Sequence, residues 1–293
     1  MRVTRLTNDS ARPLDLLYRI RAGAKKPGRR KRAFALESAL VAKWNRRLGL
    51  DEDKLRYMLR DLGRRRGASP GEHLLEADAL PRSCMFLHQG YAARYKLLSN
   101  GRRQITALYV AGDIVGLHDF LLGQTVQGIV TLSACQLILI DNEALRSTAA
   151  DMPDLGRLLK AEALMEAEVA REWLVAMGRR NAPSRLAHFL CEVFFRLKAA
   201  DKVDGNSFAF PLTQVDIADT LGLSVVHVNR VLKGLRRQQL ISLQNQILTI
   251  IEWHELARLA EFDASYLGFM FEPSALQPGH QASLDALERT TDG

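Results

Sequence analysis

The spacing of apolar residues divides the chain into helical stretches on either side of a strand-rich segment. Residues 37–62 carry apolar side chains at intervals of three and four, which predicts two short helices separated near Gly49. From residue 64 to residue 141 the pattern changes to short apolar runs between recurrent glycines. Strands of this length and spacing are typical of an antiparallel barrel or jelly roll. The predicted strands are residues 84–88, 93–98, 104–110, 128–132 and 135–141.

Asn100 and Gly101 separate two of these runs. Both central residues of a tight two-residue hairpin need positive φ, which Asn and Gly tolerate best, so the dipeptide predicts such a hairpin.

Residues 154–178 return to helical spacing and predict one long helix of about 37 Å. Its apolar stripe is too wide to be covered by one neighbour, so we expect one face to pack on the barrel and the other on the same helix of a second copy. A purely intramolecular helix is the alternative. The residues expected to form the dimer contact are Leu158, Met165, Val169, Glu172 and Ala176.

Residues 211–236 carry the most informative motif. Thr213 and Asp216 have the spacing of a helix-capping box, Gly222 suits the left-handed turn that ends a short helix, and Ser224 is a natural N-cap for a second helix. This order predicts a helix-turn-helix that presents its second helix to the DNA major groove. The strand-like runs 240–243 and 247–251 follow it and predict the hairpin of a winged helix-turn-helix.

The outward face of the second predicted helix carries side chains suited to base edges. Arginine can bind guanine, asparagine can bind adenine and valine can contact a thymine methyl group. Lysine and arginine at the end of the helix suit phosphate contacts. The residues expected to contact DNA are Thr213, Gln214, Ser224, Val225, Val226, His227, Asn229, Arg230, Lys233 and Arg236.

The net charge of +8 is distributed unevenly along the 293 residues. Residues 1–36 hold eleven basic and two acidic residues, so a flexible basic arm accounts for the whole excess. The segment 179–253 has a local charge of +4, which lies where DNA binding would use it. The sequence has no apolar run long enough for a transmembrane helix and no apolar stretch of the signal-peptide type, so no membrane partner is expected.

The cysteine and histidine spacings argue against several other classes of protein. Three widely spaced cysteines, Cys84, Cys135 and Cys191, form neither a disulfide framework nor a zinc motif, which favours the cytoplasm. No two histidines lie within ten residues of each other, so a metal enzyme of the cupin type is not expected and no catalytic or metal-ligating residues are assigned. Two alternatives are a redox switch at Cys84 and Cys135 and a haem bound through a single residue of the β-roll region. The possible haem ligands are His73, His88, His118, Cys84 and Cys135.

The order of parts resembles the Crp/Fnr superfamily of bacterial transcription regulators. The resemblance covers about residues 50–257, and its sharpest motifs are the Gly90 turn, AGDIVG at 111–116 and LTQVDIADTLGLSVVHVNRVLKGL at 212–235. It implies an α+β fold with an N-terminal β-roll like that of cyclic-nucleotide-binding domains, a long dimerisation helix and a C-terminal winged helix-turn-helix. It also implies a homodimer that binds double-stranded DNA. RNA polymerase is a further candidate partner.

Within that resemblance, several family features are absent. The family's common Arg-Glu pair of base-reading residues is Val225-Val226 here, and only Arg230 keeps the usual basic character. Leu117 stands where cyclic-nucleotide sensors have a ribose-binding Glu, and no Lys or Arg occurs from residue 104 to residue 145. Cyclic AMP and cyclic GMP are therefore not expected to bind in the family manner. The N-terminal cysteines of iron–sulfur relatives are also absent, so no cofactor is expected.

The sequence thus predicts five segments and one function. The segments are a basic arm (1–36), N-terminal helices with a β-roll (37–153), a dimerisation helix (154–178), a winged helix-turn-helix (179–257) and a C-terminal helix with an acidic tail (258–293). The predicted function is sequence-specific transcription regulation by a homodimer. A ligand- or redox-sensing adaptor with little specific DNA binding is the alternative.

Overall fold

The computed structural model describes Val41, Lys43, Trp44 and residues 52–268. The predicted basic arm, most of the first predicted helix and the acidic tail after residue 268 lie outside the described residues. The three isolated residues are helical, and Val41 and Trp44 pack in a core beneath one face of the β-roll.

Two four-stranded antiparallel sheets form the β-roll. One sheet has the order β1-β8-β3-β6 and the other the order β2-β7-β4-β5. Leu87, Ile129 and Leu137 are among the apolar side chains that fill the space enclosed by the two sheets. The elements of this part are α1 (Glu52–Asp61), β1 (Arg64–Ala68), β2 (His73–Leu75), β3 (Ser83–Gln89), β4 (Ala92–Leu97), β5 (Arg103–Tyr109), β6 (Ile114–Val115), α2 (Leu117–Leu122), β7 (Gly128–Thr131) and β8 (Cys135–Asp141).

The hairpin between β4 and β5 differs from the predicted two-residue turn. The backbone N–H of Leu98 donates to the carbonyl of Arg102 at 2.8 Å, so three residues, from Ser99 to Gly101, form the loop. Within it, Gly101 has φ +78° and Asn100 does not have positive φ. The Asn100 side chain instead accepts a hydrogen bond from the N–H of Arg102 at 3.0 Å, which stabilises the longer loop.

A long helix follows the β-roll. After α3 (Asn142–Asp151), helix α4 runs from Pro153 to Arg179, one residue longer at each end than predicted. Leu155 and Leu159 pack on the β-roll side, and Trp173 packs in the core of the C-terminal part.

The C-terminal part is a helix-turn-helix with a small three-stranded sheet in the order β10-β11-β9. Its last helix begins at Trp253, so it starts before the predicted domain boundary at residue 258. The elements are α5 (Ala182–Ala199), β9 (Ser207–Ala209), α6 (Gln214–Leu221), α7 (Val225–Arg237), β10 (Ile241–Gln244), β11 (Ile247–Ile250), α8 (Trp253–Ala260) and a 3₁₀ turn (Ala264–Leu267).

One hydrophobic core joins the β-roll to the C-terminal part. Ile105 and Leu108 of β5 belong to the same buried cluster as Phe189 of α5, Leu221 of α6 and Leu232 of α7. No helix among the described residues combines the length and apolar character needed to cross a bilayer.

Candidate nucleic-acid interface

The two helices of the motif are fixed by local capping contacts, as the sequence predicts. The Thr213 hydroxyl accepts a hydrogen bond from the N–H of Asp216 at 3.1 Å, and the Asp216 carboxylate accepts one from the N–H of Thr213 at 3.0 Å. Gly222 ends α6 with φ +62°, and the Ser224 hydroxyl accepts from the N–H of His227 at 3.2 Å to begin α7. The turn between the helices is therefore short and well defined.

Helix α7 has one buried and one exposed face. Val228, Val231, Leu232 and Leu235 are buried against the rest of the domain. On the opposite face, Val225 is 41% and Val226 is 70% exposed. The exposed residues of the predicted DNA-contacting set are Thr213, Ser224, Val225, Val226, Arg230, Lys233 and Arg236. The structure thus leaves these seven side chains accessible to solvent.

Three residues of the predicted set are half-buried: Gln214, His227 and Asn229. The Asn229 amide donates a hydrogen bond to the Gln214 side-chain oxygen at 3.1 Å. This bond links the second helix of the motif to the start of the first. Asn229 is therefore less free to meet a base than the sequence suggested, because part of its amide is already engaged.

Two of the basic residues behind the local charge of +4 have structural roles. Arg185 donates hydrogen bonds to the carbonyls of Ala176 at 3.0 Å and Leu221 at 2.8 Å, which lie in the last turns of α4 and α6. Arg196 is buried and pairs with Asp113 at 2.6 Å. Fewer basic side chains are therefore free to bind DNA than the charge of +4 for residues 179–253 indicated.

The Arg185 contacts also span the junction between α4 and the C-terminal part. The same guanidinium binds the carbonyls of Met177 at 2.9 Å and Arg180 at 3.0 Å. The junction near residues 178–183 is thus held by several hydrogen bonds around one side chain.

The hairpin after α7 has the geometry expected of a wing. Strands β10 and β11 pair in register from Ile241–Ile250 to Gln244–Ile247. Asn245 has φ +50° and Gln246 has φ +61°, which gives the tight turn with two positive φ values typical of two-residue hairpins. Its tip is exposed and uncharged.

A cavity of about 440 Å³ lies between the β-roll and α4. Arg94 of β4 lines it, a cation that lies outside the segment inspected in the sequence. Its guanidinium binds both carboxylate oxygens of Asp119, at 3.1 and 2.5 Å, and donates to the Tyr109 hydroxyl at 3.2 Å. The Tyr109 hydroxyl donates to Glu166 of α4 at 2.9 Å, and burial raises the pKa of Glu166. These four side chains therefore form one chain of hydrogen bonds across the cavity wall.

Two further cations line the cavity, and both bind Asp113 in the turn of the AGDIVG motif. Lys43 lies 2.8 Å from one carboxylate oxygen of Asp113, and Arg196 lies 2.6 Å from the other. Leu117, at the position of the family's ribose-binding Glu, is 1% exposed and packs in the core.

Comparison with known proteins agrees with this architecture. The model of the cyclic nucleotide-binding domain matches residues 65–151, and the model of the Crp-like helix-turn-helix domain matches residues 184–259. The nitrogen fixation regulation protein FixK of Bradyrhizobium diazoefficiens is 30% identical over 216 residues, which cover 72% of this chain and 87% of that protein. The chain belongs to the Crp/Fnr family of transcription regulators.

Other relatives of this regulator have the same arrangement. The fumarate and nitrate reduction regulatory protein of Vibrio cholerae is 27% identical over 215 residues, which cover 72% of this chain and 84% of that protein. The structure of FixK2 from Bradyrhizobium japonicum matches with a TM-score of 0.62 and 26% identity, over 69% of this chain and 99% of that chain. The predicted fold class and the prediction of a DNA-binding transcription regulator are thereby confirmed.

Of the five residues expected in the dimer contact of the regulator, two are buried within the fold of the single chain. Leu158 is fully buried under the β-roll and Ala176 is 5% exposed. Val169 packs against the core, and Glu172 binds Arg180 at 2.7 Å. Met165 is half-buried and lines the cavity. The apolar residues of α4 that are exposed are Leu164 (68%), Leu174 (69%), Val175 (49%) and Met177 (38%).

The three cysteines of the regulator are buried and free. Burial raises the pKa of Cys84 and Cys191, and it raises the pKa of Cys135 to about 11. Thiolates, which are the reactive form, are disfavoured at all three positions. Within the described part of the chain, no three His, Cys, Asp or Glu residues come together as metal ligands would.

Proposed function

We propose that this regulator binds a two-fold symmetric DNA site as a homodimer, with α7 of each protomer in a major groove. The two grooves would be about 34 Å apart, one helical turn of DNA. The exposed face of α7 carries the proposal, because Val225, Val226, Arg230 and Lys233 share it while the opposite face is buried. As a DNA-binding protein, the regulator would act in the cytoplasm. A contact with RNA polymerase stays a prediction.

Each residue of that face has a role suited to its chemistry. Arg230 would bind the O6 and N7 atoms of guanine, and Val225 and Val226 would contact thymine methyl groups. Lys233 and Arg236 would bind phosphates, with Thr213, Ser224 and His227 beside them. Gln214 accepts a hydrogen bond from Asn229, so its own amide group remains a donor for a nearby phosphate. Asn229 would then orient Gln214, and the side-chain oxygen of Asn229 would accept a hydrogen bond from a base.

The exposed apolar side of α4 is the surface that we propose for the second protomer. Leu164, Leu174 and Val175 are 68%, 69% and 49% exposed along one helix. Apolar side chains at helical spacing pack against a second helix in dimers of this kind. The homodimer proposed from the sequence is thus kept, with a different set of contact residues.

The cavity supports the inference that cyclic AMP and cyclic GMP do not bind in the family manner. In the part of the chain that the structure describes, the three Lys and Arg side chains of the cavity wall are Arg94, Lys43 and Arg196. Each pairs with an acidic side chain, so none of them offers a free positive charge to a cyclic phosphate. Titration calorimetry tests this, with no micromolar heat signal expected. Binding of cyclic AMP at micromolar concentration would overturn it.

Selection from random double-stranded DNA, followed by gel shifts at two salt concentrations, tests the DNA-binding proposal. The regulator is expected to enrich a two-fold symmetric sequence and to hold it against competitor DNA. Arg230→Ala should reduce the binding free energy by about 1–3 kcal/mol and relax the base preference at one position of the site. Lys233→Ala should weaken binding to all sequences evenly. It should also lower the slope of the logarithm of affinity against the logarithm of salt concentration by about 1. If no sequence is enriched, the alternative of an adaptor with little specific DNA binding replaces the proposal.

A further inference from the structure

Arg103, the first residue of β5, binds the first helix of the helix-turn-helix. The Arg103 guanidinium donates to Asp219 through Nε at 2.8 Å and to Asp216 through a terminal nitrogen at 2.8 Å. The Arg103 side chain is 26% exposed, and those of Asp216 and Asp219 are 10% and 23% exposed. One guanidinium thus forms ion pairs with two carboxylates, and these ion pairs are partly shielded from water.

Asp216 is the residue through which this contact acts on the geometry of the motif. One of its carboxylate oxygens accepts from Arg103, and the other accepts from the backbone N–H of Thr213 at 3.0 Å. The same side chain therefore fixes the first turn of α6 and attaches that turn to the β-roll. Because Asn229 and Gln214 link α7 to the start of α6, the attachment reaches the recognition helix.

Further contacts hold the same two parts together beside Arg103. The side-chain amide of Gln104 donates to the carbonyl of Thr220 near the end of α6 at 3.3 Å. The hydroxyl of Tyr91, just before β4, donates to the carbonyl of Ala209 in β9 at 2.5 Å. Both α6 and the small sheet are thus attached to the same hairpin.

Strand β5 also forms part of the cavity wall. Thr106, Leu108 and Tyr109 line the cavity, while Arg103 and Gln104 at the start of the same strand hold α6. Strand β5 therefore contacts both the cavity and the DNA-binding domain. The junction near residues 178–183 is by contrast tied together by Arg185.

We propose that Arg103 is a positioning residue for DNA binding, which fixes the orientation of the helix-turn-helix against the β-roll. In a homodimer, that orientation sets the distance and rotation between the two recognition helices, and thus the half-site spacing that the dimer accepts. The proposal rests on the homodimeric DNA binding described above. Strand β5 is then the path by which a change in the cavity reaches α6.

The spacing preference provides the test. One base pair inserted between two half-sites moves one half-site by about 3.4 Å and rotates it by about 34°. The selected site and versions with one base pair added or removed are titrated by fluorescence anisotropy with full-length protein. The wild type is expected to bind the altered sites at least about tenfold more weakly, as for a mismatched position. Arg103→Ala is expected to reduce this discrimination to about threefold or less.

Matched variants separate positioning from a general loss of stability. Arg102→Ala removes an exposed neighbouring cation of the same hairpin and should keep the wild-type discrimination. Arg103→Lys keeps the positive charge beside Asp216 and Asp219 and should retain part of the discrimination. Should Arg103→Ala fail to fold, Asp219→Asn removes one of the two negative charges that Arg103 binds and should give an intermediate loss of discrimination.

The results distinguish this proposal from the one on which it rests. If Arg103→Ala and Asp219→Asn keep the full discrimination between spacings, Arg103 is not a positioning residue, although the regulator still binds DNA. If Arg103→Lys is as permissive as Arg103→Ala, the positive charge at this position is not the cause. If the wild type selects no two-fold symmetric site, the proposed function itself fails.

Discussion

Arg94 and Asp119 form a bidentate ion pair in the wall of the cavity, with 8% and 0% of their side chains exposed. The two residues lie 25 positions apart, on β4 and α2. Breaking such a pair from one side leaves a buried charge without its partner, which is more costly than losing the pair as a whole.

Asp119→Asn is therefore expected to lower the free energy of unfolding by about 3–5 kcal/mol. Urea unfolding followed by circular dichroism measures it. The matched control is Asp154→Asn, which removes an exposed partner of Arg157 and should cost no more than about 1 kcal/mol. Equal effects of the two variants would mean that water reaches the Arg94 pair freely.

The two valines at the start of α7 lead to a prediction about thymine. A methyl group buried in an interface contributes about 0.8 kcal/mol, which corresponds to about fourfold in affinity. Replacing each half-site thymine in turn by uracil, which lacks only the methyl group, should weaken binding by about that factor at the positions under Val225 and Val226.

The affinity of the Val226→Ala variant should not change when thymine is replaced by uracil at the position under this residue. Val126→Ala is the control, since it changes a valine on the β-roll that is 58% exposed and should leave the uracil effect intact. Wild-type protein that binds every uracil-substituted site as tightly as the thymine site would show that the valines do not contact methyl groups.

The proposed dimer surface predicts a change in assembly. Leu174→Glu places a carboxylate in the apolar side of α4, where dimerisation would bury it without a cation. Since desolvating an unpaired charge costs several kcal/mol, the dissociation constant should rise by about 100-fold or more. Sedimentation velocity over a range of concentrations measures the shift to monomer.

Leu122→Glu is the matched control for this shift, because it alters a leucine in α2 that is 56% exposed and should leave the dimer unchanged. A dimer that survives Leu174→Glu would place the interface elsewhere on the molecule.

The Asp113 site predicts a loss of stability at low pH. Burial alone would raise the pKa of Asp113, but the charges of Arg196 and Lys43 outweigh it and lower the pKa from 3.8 to about 2. The unfolded chain takes up a proton below about pH 4, whereas the folded chain does so only near pH 2. This group therefore stabilises the fold by about 2 kcal/mol above pH 4, and that contribution disappears as the pH falls to about 2.

Urea unfolding at intervals between pH 5 and pH 2 measures this contribution. Asp113→Asn should be less stable than the wild type at pH 5 and should lack this part of the decline. The exposed Asp61→Asn provides the comparison. A decline of the same size in Asp113→Asn as in the wild type would show that other carboxyl groups account for it.

The helix-turn-helix could be predicted because its signals are local. The caps at Thr213 and Ser224 and the turn at Gly222 lie within a dozen residues, and each contact joins neighbours in the sequence. Strand β1 was missed for the opposite reason. It reads RRRGA at the edge of its sheet and is held by pairing with β8, about 70 residues later.

The dimer surface shows a further limit of periodicity. The spacing of apolar residues in α4 indicates a wide stripe, but it does not tell which side packs on the same chain. Leu158 and Leu164 both fit the pattern, and only the fold places the first in the core and the second at the surface. The Arg94–Asp119 pair is hidden similarly, because neither residue has a distinctive sequence neighbourhood.

The continuous core has a consequence for protein engineering. Ile105 and Leu108 of the β-roll pack in one cluster with α5 and α7, so a fragment cut out at residue 180 would expose apolar surface that they cover. If this DNA-binding module is fused to a foreign sensor domain, the β4–β5 hairpin must be transferred with it. The alternative is to redesign a hairpin of the recipient so that it covers the same surface. The transplantable unit of this regulator is therefore discontinuous in sequence.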